Sequence, residues 1–332
     1  LMTQRNPNID AIRVIAAFGV VWLHVSVWVL YGDPSIHSSG WWAATAIDAF
    51  THWGVPAFVM VSGALTLSAP ADLTPLEFWI KRLRRLLPAI IFWTLVFFAF
   101  RRFLEGPFGL RDALKSLVEG TPYGHLWYLY MLLGLTFISP FLHKLVQVLN
   151  RRDLLLLILG CFAIAAGETA FGGRAVTWLP GFIPFIGYFL AGYYLATHAR
   201  TPRRWWLVVI FFLCGLAIVL STAVLLPRRD VQAYDLTFSY HNPLVAGMSL
   251  SIFLLLLKAP GSFGPLVKLA PITLGIYVIH PLWIWALAKL GLDCYWVHPA
   301  IGIPLTATLA FVLSALSALL LARIPWLRHT VS

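Results

Sequence analysis

"NIDAIRVIAAFGVVWLHV", residues 8–25, decides the fold class. It is a run of membrane-grade apolar residues that nevertheless holds Asp10, Arg13 and His24. A membrane-spanning helix needs roughly 20 predominantly apolar residues. This run and its continuation to residue 30 supply them, so it reads as a span rather than a buried helix of a soluble domain. It has no small-residue cleavage site and leads into further apolar runs, so it is expected to persist as a span.

The rest of the chain agrees. Of 332 residues, 60% are hydrophobic and 11% charged, and mean hydropathy is +0.83. Soluble globular domains do not have that composition; multi-span membrane proteins do. Ten apolar segments follow one another: about 9–30, 44–67, 86–104, 126–148, 153–171, 180–198, 205–226, 243–258, 271–290 and 299–322. The eighth is short and can begin before His241. The connections are short, so the expectation is an all-α integral membrane protein of about ten helices, with residues 1–332 as a single membrane-embedded domain.

The net charge of +11 has an ordinary explanation in the excess of Lys and Arg in cytoplasmic loops, and does not call for nucleic acid. With the N-terminus inside, fifteen of the 24 Lys and Arg fall on the inner side, eight fall on the outer side, and Arg13 lies within a span. That asymmetry predicts both termini inside. Trp41, Trp42, Trp205, Trp206 and Trp326 mark span ends, as interfacial aromatics do. His241, His298 and His329 flank spans. Gly187 and Ala191 form a small-xxx-small pair suited to close helix packing. Cys161, Cys214 and Cys294 make no disulfide framework.

Eleven helical steps of about 100° return to within roughly 20° of the start, so Arg13 and His24 share a face about 16 Å apart. Asp10, three residues before Arg13, can pair with it. Separately, Arg13 could be a snorkelling anchor and His24 a packing residue. Together on one face, at a depth where ionisable groups are costly, they point to a cavity or a partner.

In "LTPLEFWIKRLRRLLPAIIFW" (73–93), Thr74, Pro75 and Glu77 form a capping box with proline in its favoured place. Lys81, Arg82, Arg84 and Arg85 follow, with Arg82 and Arg85 three apart on one face. Such a helix end can bind phosphate through guanidinium forks. By physics alone, a positive-inside anchor on lipid headgroups is the simpler account. "YGHLWYLY" (123–130) sets His125 and Trp127 at the outer start of a span. "VPAFVMVSGAL" (55–65) carries Ser62, which at such a place usually bonds helix backbone. "LGIYVIHPLW" (274–283) puts Tyr277 and His280 in mid-span, where a second intramembrane histidine is hard to explain as packing. No HExxH, CxxC or Walker-type loop is present, so the expected metal complement is none.

In order, "IDAIRVIAAFGVVWLH", "VPAFVMVSGAL", "KRLRRLLP", "HLWYLYMLLGLTFISPFL" and "LGIYVIHPL" resemble the motif set of the acyltransferase family 3 membrane proteins. The Arg-x10-His of that set corresponds to Arg13 and His24, and its Arg-x-x-Arg to Arg82 and Arg85. The length is similar to compact members such as the enterobacterial common antigen O-acetyltransferase type. His52 departs from the pattern, since many members carry a basic residue there, and the extracytoplasmic esterase-like domain of many members is absent.

The resemblance implies a multi-pass enzyme of the bacterial inner membrane that moves an acetyl or other acyl group from cytosolic acetyl-CoA to a hydroxyl of a surface glycan or lipid-linked saccharide. It implies Arg82 and Arg85, with Lys81 and Ser62, on the donor side. His24 would be the general base, with Arg13 and Asp10 orienting donor and charge. His125, Trp127, Tyr277 and His280 would line the acceptor end. A covalent acyl-enzyme on His24 or Ser62 stays open. The rival classes are a saccharide-lipid transporter or flippase, and a glycan polymerase. The first is disfavoured by the lack of visible inverted repeats, the second by the lack of a large outer loop.

Overall fold

The computed structural model describes residues 6–32, 35–69, 74–170, 181–199, 202–225, 236–260 and 263–332. Arg5, Arg174, Arg200, Arg228 and Arg229, counted above for topology, lie outside the described residues, as do the last or first residues of the expected segments 153–171, 180–198 and 205–226.

Every described element is helical. In chain order they are α1 (Pro7–Gly32), α2 (Ser39–Thr51), α3 (Gly54–Leu67), α4 (Pro75–Phe100, continued by a π-helical turn Arg101–Glu105), α5 (Leu110–Glu119), α6 (Trp127–Val148), α7 (Arg151–Ala170), α8 (Ile186–Thr197), α9 (Arg204–Leu225), α10 (Pro243–Leu257), α11 (Thr273–Lys289), α12 (Pro299–Ala322) and α13 (Arg328–Val331). A 3-10 stretch, Gly264–Ile272, leads into α11. Backbone polar groups in lipid must be satisfied within the segment, and helices achieve that.

Among the described residues, eight helical stretches are long and apolar enough to cross a membrane. The other two of the ten expected segments are helical as well. The fifth expected segment is α7, a 20-residue helix that starts with Arg151, Arg152 and Asp153 and carries Glu168 near its end. The sixth is the shorter apolar helix Ile183–Thr197. The eighth does begin before His241: its apolar stretch runs Leu236–Leu257, with a break at Asn242, whose side chain caps α10 by accepting from Leu244 N.

The second expected span, 44–67, is two helices. Pro56 has no N–H to give the carbonyl of His52, four residues back, so the helix ends there and restarts at Gly54. A Cβ on Gly54 would sit 2.9 Å from Val20 Cγ2 and 3.0 Å from Ala16 O, so the break lies directly against α1.

The first span is the hub. It packs on α2, α3, α10, α11 and α12, and 61% of its apolar window is buried, against 28% for α9 at the periphery. The tightest helix pair is α3 with α8. A Cβ on Gly63 would lie 1.8 Å from Phe189 O, and one on Gly192 would lie 1.9 Å from Met60 O. Gly187, expected to allow close packing, does so against α7: a Cβ on it would lie 3.2 Å from Cys161 Cβ. The outer faces present Ile91, Leu95, Leu156, Leu213 and Leu316, all more than half exposed. In water such a surface would aggregate; in lipid it is solvated.

Trp42, Trp205, Trp206 and Trp326 are exposed at helix ends, whereas Trp41 is wholly buried, which corrects its reading as an interfacial residue. It packs instead against His37 and Trp42. All three cysteines are free. Asn8 at the start of α1 donates to Leu257 O and Ala259 O after α10. Ser332 lines the same cavity as Arg13, Arg82 and Arg85. The two ends of the described chain thus lie at one end of the bundle.

Candidate active site

The capping box that opens α4 is present: Glu77 N donates to Thr74 Oγ1 and Thr74 N to Glu77 Oε2. It starts a helix that continues past Pro88, so the basic stub and the third span form one rod. That rod fixes Arg82 relative to the bundle. Its guanidinium donates to Thr66 Oγ1 of α3 at 3.1 Å and lies over the Phe78 ring. Arg82 is half-buried, while Lys81 and Arg85 are exposed.

Two hollows share this helix face. The smaller, about 240 Å³, is lined by Lys81, Arg82, Arg85, His143 and Lys144. The larger, about 510 Å³, is lined by Arg82 and Arg85 at one side and by Arg13, Ser62, Tyr128 and Tyr277 further in. Both include Thr66 and Phe78, so they adjoin. Arg13 makes a loose ion pair with Asp10, at 3.8 Å. Ser62 donates its hydroxyl to Phe58 O at 2.9 Å. This is the local backbone bond expected of a serine in a span, and a carbonyl cannot act as its base.

The far wall of the larger hollow is aromatic. Phe58, Tyr128 and Tyr277 meet pairwise with ring centroids 5.4 to 6.3 Å apart. The Tyr277 phenol donates to the His125 backbone carbonyl.

Next to Tyr277 stand three histidines from three helical regions. His24 of α1 and His280 of α11 have ring centroids 4.8 Å apart. His125, two residues before α6, lies 5.3 Å from His280 and 6.4 Å from His24. His125 and His280 are buried, and His24 is half-buried.

The tautomers follow from the hydrogen bonds. His24 Nδ1 lies 2.8 Å from Val20 O and His280 Nδ1 lies 2.6 Å from Tyr277 O. A carbonyl only accepts, so in each ring Nδ1 carries the proton and the neutral ring leaves Nε2 as the basic nitrogen. His280 Nε2 is buried with no hydrogen-bond partner, and the same holds for both ring nitrogens of His125. Buried polar atoms are rarely left so. The spacing of the trio does not form a metal-ligand set among the described residues.

The structure therefore brings Arg13, Ser62, Arg82, Arg85 and Tyr277 to one hollow, with Asp10 on Arg13 and Lys81 at the adjoining mouth. It sets His24, His125 and His280 together behind Tyr277. It does not bring Trp127 to that trio. Trp127 packs on Phe185 and Tyr240, and Tyr240 stacks on His52 at 4.7 Å.

The sequence reading passed over Asp48. Its carboxylate lies 3.5 Å from His52 Nδ1, both groups buried, and the pair is near enough to His24 to act on it electrostatically. The i,i+4 spacing of Asp48 and His52 was the available signal. His143 and Lys144 on α6 were also missed, because only the fold carries them to α4.

The site thus combines a basic mouth, an inward hollow and a cluster of intramembrane imidazoles in a polytopic helical bundle. The chain matches the family model described as an acyltransferase domain over residues 6–323, nearly its whole length, and belongs to the acyltransferase 3 family. It is thus a multi-pass membrane acyltransferase. Comparison with curated proteins and with solved structures gives no match.

Proposed function

We propose that the protein is an O-acetyltransferase of the bacterial inner membrane, similar to the compact enterobacterial common antigen type, moving acetyl from cytosolic acetyl-CoA to a hydroxyl of a surface glycan or lipid-linked saccharide. The observation that carries this reading is the pair of adjoining hollows that run from Lys81, Arg82, Arg85 and Lys144 to the aromatic wall in front of the histidine cluster.

Coenzyme A carries a diphosphate and a 3'-phosphate. Arg82 and Arg85, with Lys81 and Lys144 beside them, supply the cations and forked donors such groups need. The larger hollow accommodates the pantetheine arm between Ser62 and Arg13. At its end the thioester meets Tyr277 and, once the aromatic wall yields, the histidines. His24 Nε2 takes the proton from the acceptor hydroxyl as its oxygen attacks the thioester carbonyl. Arg13, anchored by Asp10, balances negative charge along the arm. The saccharide enters from the opposite end, past His125. The basic mouth faces the cytosol, in keeping with the positive-inside rule.

The test is incubation of the purified protein with radiolabelled acetyl-CoA and candidate lipid-linked saccharides. Label in the saccharide is the expected result. A folded protein that leaves acetyl-CoA intact with every acceptor, and does not bind it, overturns the reading.

A further inference from the structure

We propose that His280 is a second catalytic imidazole, which receives the acceptor's proton from His24 and delivers it to the departing thiolate. The inference rests on the acyl-transfer reading above and adds a division of labour between two histidines.

The first ground is the motif "YVIHP" itself. Pro281 has no N–H, so the carbonyl of Tyr277, four residues back, loses its helical donor. His280 Nδ1 takes that carbonyl at 2.6 Å. The helix thus locks His280 in one tautomer, with Nε2 bare. A packing histidine needs no such lock.

The second ground is that Nε2 is buried and without a hydrogen-bond partner, a costly state unless something transient is meant to meet it. The third is position. His280 has the ring nearest to His24, at 4.8 Å, and sits one turn beyond Tyr277, which closes the donor hollow. His125 is the alternative, but it lies farther from His24, at 6.4 Å.

The step balances without an outside proton. The acceptor oxygen forms its bond to the thioester carbonyl carbon while His24 Nε2 takes the hydroxyl proton. His24 passes that proton to His280 Nε2. The carbon–sulfur bond breaks, sulfur leaves with the electron pair, and His280 protonates it. Ester and free thiol result, and both rings end neutral, as they began. A thiolate stranded away from water would be costly, which is why proton delivery matters here.

The experiment compares wild type, His280→Gln and Pro281→Ala in full-length purified protein, with acetyl-CoA as donor. It reads kcat, the donor KM, thermal stability and a proton inventory in H2O–D2O mixtures. His280→Gln should lower kcat by ~10²–10⁴, with donor KM and stability unchanged. The inventory should be curved in wild type, from two protons in flight, and linear in the variant.

Pro281→Ala keeps the imidazole and the helix but returns an N–H to the Tyr277 carbonyl. It should lose about 10- to 100-fold, with a flattened inventory, and covers the case in which His280→Gln does not fold. Near-normal kcat in either folded variant would overturn the proposal. So would a loss that tracks lowered stability or raised donor KM, or a linear inventory in wild type. A wild-type protein that neither binds nor consumes acetyl-CoA would instead defeat the acyl-transfer reading on which the proposal rests.

Discussion

The basic mouth and the histidine cluster are built on opposite physical terms. At the mouth, Lys81 and Arg85 are exposed and Arg82 half-buried, so the cations keep their hydration and can exchange it for phosphate. At the cluster, the charges have been replaced by imidazoles, two of them wholly buried and two held by backbone carbonyls. Full charges persist cheaply at the water–lipid border and not within the bundle. Under the proposed function the contrast becomes a separation of tasks: affinity for the donor would belong to the mouth and proton transfer to the cluster, with the aromatic wall of Phe58, Tyr128 and Tyr277 between them.

The severest way to break that division is at His24. His24→Gln, which retains a hydrogen bond but is a far poorer base, should cut transfer by ~10²–10⁴ while acetyl-CoA binding and thermal stability hold. A stable Gln variant with near-normal transfer would remove the base, and a variant that also lost donor affinity would merge the two regions into one.

The converse change is at the mouth. Arg82→Ala with Arg85→Ala should weaken acetyl-CoA binding by about 10- to 100-fold, from charge-assisted bonds worth roughly 1.5–3 kcal/mol and discounted for exposure. Arg82 should account for more of it, being half-buried and braced on Thr66. Titration calorimetry on the folded variants checks this. Unchanged affinity would return the cluster of cations to a role as lipid anchor.

Gly63→Ala sharpens the comparison through the scaffold. Its Cβ would meet Phe189 O at 1.8 Å, and backbone on both sides must move, at a cost of about 1–3 kcal/mol. Because Ser62 lines the larger hollow from the same turn, donor KM should rise along with the lower melting temperature, measured in detergent. A variant that melts normally would show that α3 and α8 separate easily.

The smallest effect is expected at Thr74→Ala. Loss of the cap should cost about 1 kcal/mol, fray the helix that carries Lys81 and Arg82, and weaken donor binding only slightly. A loss as large as that of Arg82→Ala would mean that the cap orders the whole mouth.

By itself the sequence determined that this chain is a helical membrane protein, because twenty-residue apolar runs leave the backbone no other way to satisfy its polar groups in lipid. It also determined that Arg13 and His24 share a face, because helical periodicity is local, and that α4 begins at Thr74, because a capping box spans four residues. Local signals that were present but passed over include Pro56, which ends α2 at the residue before His52, and Pro281, which frees the carbonyl that holds His280.

Only the tertiary structure decided that His24, His125 and His280 converge while Trp127, two residues from His125, turns to Phe185 and Tyr240. It alone set His143 and Lys144 beside Lys81, and it buried Trp41. Those outcomes depend on which helix faces which, and an apolar helix with little contrast between its faces does not encode its neighbours in its own periodicity. They are fixed by close contacts such as Gly63 on Phe189 and Gly54 on Ala16, which join residues far apart in the chain.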